Sequence, residues 1–282
     1  MVLYLIGLGL CGVKDITVRG LELVKSSDYV FMEYYTSILG VDIEELQKFY
    51  EKEIILADRE MIENDFDEKI LEKAKNFKVS ILIVGDPFSA TTHMDLYTRA
   101  IKKGVKIEVL NNASIINSCG ISGLSLYRFG ETVTIPFFTR TWKPCSFFEK
   151  VTKNMQNDYH TLVLLDIKVK EISEENLCRG KKIYEKPRFM TVNVALAQMI
   201  EAEETLKSGK ISEETLVVGI VRVGSPTQKI VSGKIKDILK VDFGAPLHSL
   251  IVCAPTLHSM EKEMMEFYSI ENVEKREKET LI

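Results

Sequence analysis

Residues 2–12 read Val2-Leu3-Tyr4-Leu5-Ile6-Gly7-Leu8-Gly9-Leu10-Cys11-Gly12. An apolar run of strand length enters three glycines spaced Gly-x-Gly-x-x-Gly. A segment with helical spacing follows, with Ile16, Leu21 and Val24 on one stripe and Asp15 as its expected N-cap. The next apolar run, Tyr29–Met32, leads into Glu33, about 20 residues beyond Gly12. Strand, glycine loop, helix and strand in that order make a βαβ unit, and so predict an α/β fold built on a parallel sheet.

The rhythm continues outward. Further strands are predicted at Ile54–Ala57, Ser80–Val84 and Lys106–Leu110. One helix is expected to start at Asp42, with Glu45 three residues on, and another at Thr92, with Asp95 three residues on and Gly104 as its stop. The strands are nearly continuous hydrophobic runs, as strands covered on both faces require. Residues 1–110 therefore read as an N-terminal α/β domain with a mostly parallel five-stranded sheet. Beyond Leu110 the pattern changes. Strands are expected at Thr132–Ile135, Thr161–Ile167, Leu216–Val223, Lys229–Ser232 and Ser249–Ala254, with long helices only near Phe147–Asn157 and Val192–Lys207. That spacing predicts a second α/β domain with a mixed sheet over 111–270. The charge-dense stretch 271–282 is expected to be a tail, either a frayed helix or disordered.

Composition sets bounds on function. The 282 residues carry 37 basic and 41 acidic side chains, a formal net charge of −4, which argues against an electrostatic grip on nucleic acid. Cys11, Cys119, Cys145, Cys178 and Cys253 have no CxxC spacing and no accompanying His cluster, so reduced cytosolic thiols and no metal site are expected. Residues 1–10 lack a basic leader region and a small-residue cleavage site, and they read as a strand rather than a signal peptide. No stretch approaches the ~20 apolar residues of a membrane span.

Two loops could carry chemistry. The Gly7/Gly9/Gly12 loop with Glu33 matches a dinucleotide fingerprint, but any ligand at the carboxyl edge of the sheet could use such a backbone. NAD(P), another adenosyl ligand and a merely tight turn all remain open at this point. The second loop, Gly85-Asp86-Pro87-Phe88-Ser89-Ala90-Thr91-Thr92, puts a carboxylate at the same edge. Its alternative reading is an Asp-Pro turn bonded to itself.

Longer motifs narrow the choice. YLIGLGL, ADRE at Ala57–Glu60, VGDPFSATTH at Val84–His93 and NASI at Asn112–Ile115 resemble the diphthine synthase family. FGETV at Phe129–Val133, HTLVLLDIKVKE at 160–171 and PLHSLIV at Pro246–Val252 carry the same resemblance. The family lies in the tetrapyrrole-methylase-like class of S-adenosylmethionine methyltransferases. The likeness runs from Val2 to about Phe267 and is similar to the eukaryotic type through FFEKV, KIYEKPRFM and RVGSPTQKI.

The resemblance implies two α/β domains with S-adenosylmethionine in the cleft between them and S-adenosylhomocysteine as product. It places cofactor contacts at Leu10, Asp86, Ser89, Ser114, Ile115, Leu165, Val223 and His248, with Ser89 standing where close relatives would carry Gly. It implies a cytoplasmic homodimer that methylates the aminocarboxypropyl-modified histidine of translation elongation factor 2, on the amine three times and, in the eukaryotic type, on the carboxylate. A tetrapyrrole methyltransferase and an NAD(P) oxidoreductase are the alternatives. No catalytic base is assigned. His93 and His160 read as packed residues, and Trp142 as either an entrance residue or a loop anchor. The run Arg179-Gly180-Lys181-Lys182, with Lys186 and Arg188, reads as a docking loop or a solvated one.

Overall fold

The computed structural model describes residues 1–170 and 183–280. The chain divides into two units, Met1–Ser118 and the residues from Cys119 onward, eight positions beyond the division expected at Leu110.

In the first unit, β1 (Val2–Gly7), β2 (Tyr29–Glu33), β3 (Ile55–Ala57), β4 (Lys78–Ile83) and β5 (Lys106–Leu110) form one parallel sheet in the order β3-β2-β4-β1-β5. Alternation along β1 sorts its side chains between two cores. Val2, Tyr4 and Ile6 pack with Val24, Leu46 and Tyr50 of α1 (Val18–Ser26) and α2 (Ile43–Tyr50). Leu3 and Leu5 face the other way, against Ile62 of α3 (Arg59–Glu63), Ala74 of α4 (Glu72–Asn76) and Leu96 and Ala100 of α5 (Met94–Lys102). The neighbours β1 and β4 thus send their connections, α1 and α5, over opposite faces of the sheet. That is a topological switch point, where the loops at the carboxyl ends of adjacent strands part and leave a crevice.

Two helix starts differ from expectation. Thr17, not Asp15, caps α1, its hydroxyl accepting from Gly20 N. His93, not Thr92, is the N-cap residue of α5. In both cases the residue expected to cap lies within the loop that precedes the helix.

The second unit holds β6 (Val133–Ile135), β7 (Thr161–Leu165), β10 (Leu216–Val221), β11 (Lys229–Lys234) and β12 (His248–Val252) in a mixed sheet ordered β11-β10-β12-β7-β6. Only the β6–β7 pair is parallel. The short β8 (Ile167–Lys168) and β9 (Arg188–Phe189) pair separately. The helices Ser146–Gln156 and Val192–Leu206 cover this core through Phe147, Phe148, Val151, Ala195, Leu196 and Met199. Gly219 within β10 has a packing reason, since a Cβ there would lie 2.4 Å from the Phe243 ring. Ile270–Thr280, at the expected tail, is helical.

Cys178 and the basic run Arg179–Lys182 fall outside the described residues. Of its flanks, Lys186 is exposed, and Arg188 pairs with Glu185 at 3.4 Å and lies over the Phe137 ring. Among the described residues no helix is long and apolar enough to cross a membrane.

Candidate functional site

The switch point is built from three loops of the first unit. Gly9, past β1, and Gly85, past β4, form an antiparallel bridge, both with φ of 79°. At Gly7 a Cβ would sit 2.7 Å from the Gly85 carbonyl oxygen and 2.9 Å from Asn112 Cβ, so the close approach depends on glycine. Asn112, past β5, ties the third loop in by donating from Nδ2 to the carbonyls of Gly7 and Asp15, each at 2.9 Å.

Asp86 joins the second and third loops. Its Oδ1 accepts from Phe88 N at 2.9 Å and Ser89 Oγ at 3.0 Å. Its Oδ2 accepts from Asn111 Nδ2 at 2.9 Å and Asn112 N at 3.1 Å. Burial pushes this carboxyl up, but the four donors outweigh it and hold it below the ordinary carboxylate value. Sequence reading placed Asp86 at the ligand edge; the structure adds that its side chain fastens the loops whose backbones line that edge. Ser114 is buried against Gly85, and Leu10, Ser89 and Ile115 are half-buried nearby in the same loops. Five expected positions are thus brought together within this unit.

The glycine fingerprint is wired differently from a dinucleotide site. There the helix N-terminus follows the glycines directly and its free N–H groups meet a pyrophosphate. Here α1 begins only at Val18, and the amides of Cys11 and Gly12 already donate to Asp15 Oδ2 at 2.9 and 3.0 Å. Glu33, which in that reading would hold a ribose, is fully buried. It accepts from Tyr35 N at 2.7 Å and from Thr36 N and Oγ1 at 2.6 Å each.

In the second unit, Leu165 ends β7, Val223 lies just past β10, and His248 opens β12 between them, so register brings all three to one sheet edge. His248 is committed to the backbone. Its Nδ1 accepts from Val192 N at 3.3 Å, and its Nε2 donates to the carbonyls of Ala245 at 3.0 Å and Gly244 at 3.2 Å. Burial lowers its pKa, leaving a neutral ring with both nitrogens occupied.

The remaining candidates separate clearly. His160 is buried in a network, accepting from Ala254 N at 2.9 Å and donating to Glu261 Oε1 at 3.1 Å, while Arg128 Nη1 holds Glu261 Oε2 at 2.7 Å. His93 is 1% exposed, with Glu33 and the Pro87 carbonyl beside its ring. Trp142 is 54% exposed in a turn closed by Thr139. Sequence reasoning missed Asn111 and Asn112 as loop ties, although their place after a strand opposite a Gly-Asp-Pro turn was the available cue.

Similarity to known proteins shows the family. The tetrapyrrole (corrin/porphyrin) methylase family matches residues 2–239. The diphthine methyl ester synthase of Dictyostelium discoideum is 52% identical over 272 residues, covering 96% of this chain and 99% of the relative. That of Homo sapiens is also 52% identical over 272 residues, covering 95% of each. A crystal structure of diphthine synthase superposes with a TM-score of 0.82 at 34% identity, covering 95% of this chain and 96% of that one. With a family match over most of its length and relatives above half identity, the chain belongs to the tetrapyrrole methylases and, within them, to the diphthine methyl ester synthase group.

Proposed function

We propose that this chain transfers methyl groups from S-adenosylmethionine to the aminocarboxypropyl-modified histidine of translation elongation factor 2. In this reading it trimethylates the amine and esterifies the carboxylate, as a methyltransferase of diphthamide biosynthesis. The observation that carries the reading is 52% identity over 95% of the chain to a protein named for that ester product.

The proposed cofactor positions fit an adenosyl ligand with a charged amino-acid end. Leu10 and Ile115 in the first unit, and Leu165 and Val223 in the second, are each apolar and suit contact with a base. Ser114, whose hydroxyl accepts from Ile116 N at 3.2 Å, keeps a proton to donate. None of the eight carries a positive charge, which suits a cationic sulfonium and not a pyrophosphate. When bound, S-adenosylmethionine supplies an electrophilic methyl group for in-line displacement. The chain's part is alignment and exclusion of water: the Gly9–Gly85 bridge and Asp86 hold the loop backbones rigid, as such a reaction requires.

A carboxylate nucleophile needs no base, and an amine must first lose a proton. His248 does not serve, since Val192 N–H already occupies its only acceptor. The role is left to solvent. The homodimer, the cytoplasmic location and elongation factor 2 as partner belong to this same reading.

Mass spectrometry of elongation factor 2 bearing the unmethylated intermediate tests it, through gains of three amine methyls and one ester methyl with enzyme and cofactor. No mass gain, or methylation of a tetrapyrrole instead, would overturn it. Calorimetry expects S-adenosylhomocysteine to bind and NADH not to.

A further inference from the structure

Arg222 lies between the end of β10 and Val223, with a left-handed backbone at φ 51°. A non-glycine residue in that region is strained and persists where its surroundings over-determine it. The surroundings here are explicit. Nε donates to both the carbonyl and the hydroxyl of Thr227 at 3.0 Å. Nη1 donates to the Phe243 carbonyl at 2.8 Å and to that of Ala245. The backbone N–H of Arg222 donates to the Leu247 carbonyl at 2.9 Å.

The two segments so joined differ in character. The turn Val223–Gln228 is rigid within itself: Gly224 N donates to Gln228 Oε1 at 2.9 Å, and the Ser225 and Thr227 hydroxyls meet at 3.1 Å. The segment Phe243–Leu247 has little such internal bonding. Its carbonyls at 243, 244 and 245 are held by Arg222 on one side and by His248 on the other.

We infer that Arg222 is a positioning residue for the cofactor, a planar fork that fixes the Val223 turn against the Phe243–Leu247 segment so that Val223 and His248 present one surface to the adenosyl ligand. The inference rests on the reading of Val223 and His248 as cofactor positions. Only a guanidinium spans both sides at once. A lysine ammonium is a point donor that can satisfy one side or the other. Without the fork, the turn moves as a unit while the sheet beneath it stays folded.

The test titrates S-adenosylhomocysteine calorimetrically into wild type, Arg222→Lys, Arg222→Ala and Asn154→Ala, with a urea transition for each. Asn154 is the control, since its amide bonds Glu131 and Thr161 at the opposite end of β7. Both Arg222 variants are expected to bind about tenfold or more weakly, a loss of 1.4 kcal/mol or more. Asn154→Ala is expected to lose comparable stability and to bind within about twofold of wild type, because separated sites act independently. In turnover, the Arg222 variants should raise KM for S-adenosylmethionine and leave kcat at saturation little changed. Wild-type affinity in both Arg222 variants, or an affinity loss in Asn154→Ala that follows its stability loss equally, overturns the inference. No binding by wild type overturns the cofactor reading and the inference with it.

Discussion

Gly9 and Gly85 exchange both of their backbone hydrogen bonds, N to O at 3.2 Å one way and 2.8 Å the other. This clip joins the loop after β1 to the loop after β4, and Gly7 sits beneath it against the Gly85 carbonyl. A Cβ at Gly7 meets backbone that cannot yield, so Gly7→Ala should cost about 1–3 kcal/mol in urea unfolding and weaken S-adenosylhomocysteine binding. Gly12 has open space around its Cβ position, and Gly12→Ala should stay within about 0.5 kcal/mol of wild type. Equal damage from the two substitutions would contradict this wiring of the loop.

Asp86→Asn preserves shape but turns one acceptor oxygen into a donor facing other donors. With its NH2 toward Asn111 and Asn112 the amide faces two donors; toward Phe88 and Ser89 it faces one, because the Ser89 hydroxyl can turn to accept, so the expected cost is about 1–3 kcal/mol. In wild type the depressed carboxyl pKa adds stability that is complete above the ordinary carboxylate range and lost as pH falls through the folded value. The Asn variant should lack that component of the acid transition, as urea midpoints measured from pH 6 downward will show (the range follows from).

His93, His160 and His248 are all buried, and burial holds each below its ordinary value of 6.5. The unfolded chain therefore takes up protons that the fold refuses, so stability should decline as pH drops below about 6.5. His93 gives the cleanest test, because burial outweighs both Glu33 and the Pro87 carbonyl in setting its protonation. His93→Leu should match or exceed wild-type stability at pH 5.5 and flatten the slope between pH 7.5 and 5.5 (conditions chosen from). A steep loss at both pH values would mean that the imidazole has a stabilising partner.

Glu261 is 2% exposed, and despite burial its hydrogen bonds and His160 hold its pKa down to about 2. Glu261→Gln removes a buried charge that holds His160, His258 N and Ser125 N, while Arg128 keeps its pair with Asp158 at 2.8 Å, so the expected cost is about 1–3 kcal/mol. A thermal unfolding curve reads this loss.

Trp142, half out in solvent, should emit as an exposed indole and be readily quenched by acrylamide. Trp142→Phe should change stability by less than about 0.5 kcal/mol. A blue shift on adding elongation factor 2 would place the turn at the substrate surface, and unchanged emission would remove it from that surface.

The sheets were legible because β1, β4 and β10 are apolar runs with few alternatives, and the βαβ spacing of the first unit required parallel pairing. The loop interiors were less legible. Asp15 looked like a helix cap because it precedes an amphipathic stripe, yet its carboxylate reaches backward to Cys11 and Gly12, and Thr17 takes the cap. Asp86 showed its place but not its partners, since Asn111 and Asn112 arrive from a strand two positions away in the sheet. Arg222 opens the RVGSPTQKI motif, but nothing local shows its partners. Its role appears only when β10 and the Phe243–Leu247 segment are brought side by side.

The turn of Asp15 onto the glycine loop has a consequence for life among abundant nucleotides. An exposed carboxylate stands where a phosphate would otherwise find two free amides, so ATP and NAD approach a negative charge instead of a cradle. A cationic ligand meets the same charge favourably. The loop therefore sorts by sign before it sorts by shape, and Asp15→Asn should blunt that discrimination first toward nucleotides, with the methyl donor affected least.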